Sequence, residues 1–155
     1  MGRLIDRFQP SVLYGFDPQS QDGQARIRGT LVVVSSAAAW IHDGAVQFEG
    51  ENLGAHIVQE FGGVEVKCID LAAFIVSLVH WPVLKLDCEG AEYAIVEKLL
   101  AEEVGLERLL VEWHCPECKH GIWSHAESCD QLDEAEALVR RYEAMLPFPF
   151  ERWDM

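Results

Sequence analysis

The segment VLKLDCEGAEYAIVEKLL, residues 83–100, constrains this chain more than any other. An apolar run, Val83, Leu84 and Leu86 around Lys85, stops at Asp87. Cys88, Glu89 and Gly90 follow, and a helical apolar pattern begins at Ala91. This reads as a buried strand that delivers two acids and a glycine at its carboxyl end and turns directly into a helix. In open α/β sheets ligands bind at the carboxyl ends of strands. Two carboxylates at such a tip are costly unless something pairs or uses them.

The flanking sequence repeats the alternation. Leu4, Ile5 and Phe8 give residues 3–9 a one-sided helix, and residues 11–16 read as a strand ending at Asp17-Pro18. Residues 19–29 are polar and glycine-broken, which predicts a loop. Residues 31–34 are a continuous apolar strand, and residues 40–48 alternate around His42-Asp43-Gly44 as a hairpin would. Residues 64–69 predict a strand, and Asp70 is placed to cap a helix from Leu71 to about Val79. After the helix over 91–103 come a buried strand at 109–113 and a loop rich in Cys and His. An amphipathic helix over 130–146 follows, with Leu132, Ala135, Val139, Tyr142, Met145 and Leu146 on one face. Pro147 and Pro149 confine the tail to an edge strand. Strands alternating with helices predict an α/β sandwich with a largely parallel sheet, in one domain over 1–155.

Charge narrows the partners. The chain carries 26 Asp and Glu against 12 Lys and Arg, a formal net charge of −14. Such a surface repels phosphate backbones and anionic lipid, so nonspecific nucleic-acid or membrane binding is not expected. No stretch approaches the roughly 20 apolar residues of a membrane span, and the N-terminus has no signal-peptide pattern. Five cysteines, an odd number, exclude a complete disulfide framework and predict a reducing, cytoplasmic setting.

Taken together, VLKLDCEGAEY resembles the K-x-D-x-E-G-A-E signature of the FkbM-like methyltransferases, which use S-adenosylmethionine. Other segments are similar to the family's in order: Tyr14-Gly15-Phe16-Asp17-Pro18, the stretch from Val34 through Trp40 to Gly44, residues 66–71, Glu112-Trp113-His114, and Trp153-Asp154. The match covers residues 11–154. It implies a Rossmann-like class I methyltransferase sandwich with a mostly parallel sheet. The family's glycine-rich D-x-G-A-N-x-G turn has no counterpart before residue 11, where Gly2 is the one glycine. The expectation is therefore an N-terminally truncated form, with another chain, as in a homo-oligomer, as one way to complete the sheet or site.

The resemblance implies that Asp17 holds the ribose hydroxyls of the cofactor and that Ser36 or Ala37 lies near its adenine. Asp17-Pro18 equally suits a turn. Asp87 and Glu89 are placed to orient a substrate hydroxyl, bind a cation or act as a base. Alternatively, Glu89 caps the following helix and pairs with Lys85. Glu112 and His114 alternate off one strand and face the same side. His114 is the first candidate general base, because an ordinary imidazole titrates near neutrality; the other reading is a satisfied histidine at a sheet edge. In the loop, Cys115-x2-Cys118 precedes His120, His125 and Cys129. Cys115, Cys118, Cys129 and a histidine, His125, form a tetrahedral zinc set; the same residues also read as reduced cysteines. Cys68 and Cys88 read as small packing residues.

Two further classes remain beside methyl transfer to a sugar or small-metabolite hydroxyl. One is a noncatalytic binding or oligomerisation module derived from such an enzyme. The other is an acidic inhibitor or nucleic-acid mimic.

Overall fold

The computed structural model describes residues 1–49, 56–58, 63–115, 120–121 and 132–153. Among the described residues the helices are α1 (Gly2–Phe8), α2 (Leu71–Val76), α3 (Glu92–Ala101) and α4 (Leu132–Met145). The strands are β1 (Val12–Phe16), β2 (Gly23–Ile27), β3 (Thr30–Ser35), β4 (Ala38–Trp40), β5 (Gly44–Glu49), β6 (His56–Val58), β7 (Val64–Asp70), β8 (Val83–Leu86), β9 (Arg108–Val111), β10 (His114–Cys115), β11 (His120–Gly121) and β12 (Phe150–Arg152).

The class is α/β, but the expected Rossmann-like sandwich is not what the chain forms. Its strands divide into a sheet of order β1-β3-β2, a sheet of order β4-β7-β5-β6, a sheet of order β12-β9-β8 and the two-stranded ribbon β10-β11. The first two sheets are mixed, and the third is parallel throughout. The division follows from the connections. Parallel neighbours need a crossover of about a dozen residues or more, whereas antiparallel neighbours accept a tight turn. Arg28 and Gly29, at φ 50° and 89°, close β2 onto β3 as a two-residue hairpin. From residue 83 onward the paired parallel strands are joined by helical crossovers, and there β8-α3-β9-α4-β12 builds the parallel sheet.

Two local expectations change accordingly. Residues 23–27 form a strand, not a loop. Residues 38–40 and 44–49 are both strands but not a hairpin: β7 lies between them, parallel to β4 and antiparallel to β5.

The core sits between the parallel sheet and helices α3 and α4. Leu86, Leu109 and Val111 point to one face and meet Ile95, Val96 and Leu99 of α3 and Val139 of α4, all nearly inaccessible. Each such side chain contributes roughly 1.5–3 kcal/mol of burial. Met145, expected on the buried face of α4, is 56% exposed. The opposite face of the sheet carries Lys85, Leu110 and Glu151, and α1 is tied to it by the paired bonds from Arg7 to Glu151 (2.7 and 2.6 Å). No helix among the described residues is long and apolar enough to cross a membrane.

Asp70 caps α2 as its position predicts. Its carboxylate accepts the Ala73 N–H (3.1 Å) and pairs with Lys98 of α3 (2.9 Å). Burial pushes this carboxyl upward, but the Lys98 and helix N–H bonds outweigh it and hold it below the ordinary value. A depressed carboxyl stabilises the fold above its unfolded value, about 3.9, and loses that contribution as pH falls through the folded value. Asp70→Ala should therefore cost about 1–2 kcal/mol in urea denaturation at pH 7. The gap from the unsubstituted protein should narrow below about pH 4.

Candidate functional site

The strand tip at 87–90 is shaped by two left-handed residues, Glu89 (φ 51°) and Gly90 (φ 103°). This conformation suits glycine and is strained for glutamate. It folds the loop back over the start of α3, where Glu92 receives it. The Glu92 carboxylate accepts the Cys88 N–H (2.5 Å) and the Gly90 N–H (2.8 Å), and it also meets His114 Nδ1 at 3.0 Å. Glu92 is fully buried. Glu92, not Glu89, thus ties the loop to the helix, and Lys85 pairs with Asp87 (2.5 Å), not with Glu89.

Glu112 and His114 do face the same side, as their alternation predicts, and that side is the one Asp87 occupies. Donor atoms of Asp87, Glu112 and His114 all lie within 4.8 Å of one another. His114 Nε2 stands 3.7 Å from Glu89 and 4.0 Å from Asp87. Burial works against a charged ring here. The hydrogen bond and charge of Glu92, helped by the charges of Glu89 and Asp87, outweigh it and lift His114 to about 9. The ring is therefore protonated near neutrality, contrary to the expectation of an ordinary imidazole ready to take a proton. Burial, with the charge of Asp87, raises Glu112 as well. Burial and the charge of Glu92 push the Cys88 thiol up to about 12, so it is no nucleophile.

Asp87, Cys88 and Glu89 form one wall of a cleft of about 480 Å³. Phe16, Asp17, Pro18 and Gln19 at the end of β1 form another, and Ala38, Ala39, Phe48 and Ile57 give it an apolar floor. Asp17 and Asp87 thus reach one cleft from separate sheets. Asp17 also closes its own turn, accepting the Gln19 N–H (2.9 Å) and the Ser20 hydroxyl (2.7 Å). The turn reading of Asp17 therefore holds, and the residue also borders the cleft.

Ser36 and Ala37 are not on the cleft wall. The Ser36 N–H is bound to Asp22 (2.6 Å), and Ala37 is buried at 1% exposure; the wall there is Ala38 and Ala39. Of the zinc set, Cys115 is described as a strand residue, while Cys118, His125 and Cys129 lie outside the described residues. Asp154 lies outside them too. Cys68 is buried, as a packing residue would be. A second hollow near α1 is lined in part by Asp6 and Arg28, which pair with each other.

The sequence reading missed Glu92. Its signal was an acid in the first turn of the helix, four residues after Cys88. A comparison with protein-family models and searches of curated proteins and of solved structures find no match to this chain.

Proposed function

We propose that the cleft binds S-adenosylmethionine and that the chain transfers its methyl group to a hydroxyl of a sugar or small metabolite. The observation that carries this reading is the convergence of Asp17 and the Asp87–Glu89 tip on one cleft with an apolar floor. S-adenosylmethionine is a cation with a sulfonium and an ammonium group, a flat adenine and a ribose diol. Carboxylates suit its charges and its diol, and Phe16, Ala38, Ala39 and Ile57 suit its ring. The sequence resemblance to FkbM-like methyltransferases supports the same donor.

Asp87 borders the cleft with its side chain one-third exposed, whereas His114 is 5% exposed behind it. Asp87 is therefore the group that meets the acceptor hydroxyl and takes its proton, and Lys85, bonded to it at 2.5 Å, positions it. Positioning donor and acceptor in line supplies much of the rate of such a transfer. The free thiols of Cys68 and Cys88 fit a reducing, cytoplasmic setting.

Thermal unfolding tests the reading. Saturating S-adenosylmethionine, about 100-fold over Kd, should stabilise the protein by about 2.7 kcal/mol and raise Tm by about 5–10 °C. Asp17→Asn keeps the turn, since the amide oxygen still accepts the Gln19 N–H, but should lose most of the rise. An unchanged Tm in the unsubstituted protein contradicts donor binding.

A further inference from the structure

We infer that Asp87, Glu112 and His114 hold a divalent metal ion at the tip of the parallel sheet. Their donor atoms lie within 4.8 Å of one another. Ligands of one ion at about 2.0–2.2 Å stand about 3–3.5 Å apart, so small rotamer changes close the set.

Two further observations point to an ion and not to an acidic cluster alone. The first is the setting of His114, which is 95% buried by its 5% exposure. Its Nδ1 is held by Glu92 at 3.0 Å, and its Nε2 is aimed into the cluster. Among the described residues the nearest carboxylate oxygens to Nε2 are at 3.7 and 4.0 Å, beyond hydrogen-bond range. Metal-ligating histidines are held in this way, with a carboxylate fixing one nitrogen and the ion taking the other. The second is Glu112 Oε2, which is buried with no hydrogen-bond partner among the described residues. Buried carboxylate oxygens are ordinarily satisfied, and an ion would satisfy this one.

Charge agrees. Among the described residues, Asp87, Glu92 and Glu112 gather around Lys85 and His114. A divalent cation would balance the excess of acids. Two carboxylates and one imidazole suit Mn2+ or Zn2+, and three protein ligands leave positions open for water or for a hydroxyl entering from the cleft. The ion would there act as a Lewis acid on that hydroxyl. The inference stands on the cluster and does not require methyl transfer.

The test is titration of the full chain with Mn2+, followed by the paramagnetic resonance signal of the free ion, with no methyl donor present. One ion per chain, bound well above the background of the acidic surface, is expected. Asp87→Asn, at a partly exposed position that leaves the core intact, should weaken it by about tenfold or more. Glu65→Gln, on an exposed position of β7, should leave it unchanged. Weak binding of several ions, indifferent to Asp87→Asn, overturns the inference. So does a loss of equal size in Glu65→Gln.

Discussion

Replacing Glu92 with Ala should destabilise the protein by about 3–5 kcal/mol, the range for breaking a buried ionic pair from one side. The side chain is 0% exposed and serves three partners at once: the Cys88 N–H, the Gly90 N–H and the His114 ring. Its loss leaves two loop donors and a buried imidazole without an acceptor. The loop at 87–90 is already strained at Glu89. Urea denaturation measures the cost. Glu92→Gln should recover only part of it, because one arm of the amide presents N–H groups to donors. A cost under about 1 kcal/mol would mean that water replaces the carboxylate and that the site is not held by it.

The second large effect lies under the site. Trp113→Ala should cost about 3–5 kcal/mol. Trp113 is 1% exposed and joins the strand end to both helices, with its ring 5.2 Å from Tyr93 of α3 and stacked 6.3 Å from Tyr142 of α4. Removing it opens a void where these three elements meet. Its Nε1 is buried without a hydrogen-bond partner among the described residues. Trp113→Phe keeps an aromatic ring and removes that unsatisfied group, so it should cost clearly less than Ala. A thermal scan separates them: a fall in Tm of about 10 °C for Ala and a much smaller one for Phe. Equal losses would show that volume alone decides stability at this position.

The residues differ in how plainly the sequence announces them. The β8-to-α3 step was legible because an apolar run, two acids and a helical period follow one another within residues 83–100. The meeting of Glu112 with His114 was legible from strand parity, since residues two apart share a face. Glu92 was hidden, because its role depends on left-handed turns at Glu89 and Gly90 that no spacing rule predicts. β2 was hidden for a different reason. All five of its residues are exposed, so no alternation of burial marks GQARI as a strand. The division into separate sheets was least legible of all. Which strands pair is decided between segments far apart in the chain, as when β7 enters between β4 and β5. Local pattern carries little of that information.

The cleft between Asp17 and Asp87 is proposed as the site for the methyl donor. Calorimetric titration with S-adenosylhomocysteine tests it most directly, because the demethylated product binds without reacting. One-to-one binding at micromolar strength, weakened by Asp17→Asn, is the result predicted. The absence of heat at millimolar ligand would contradict it.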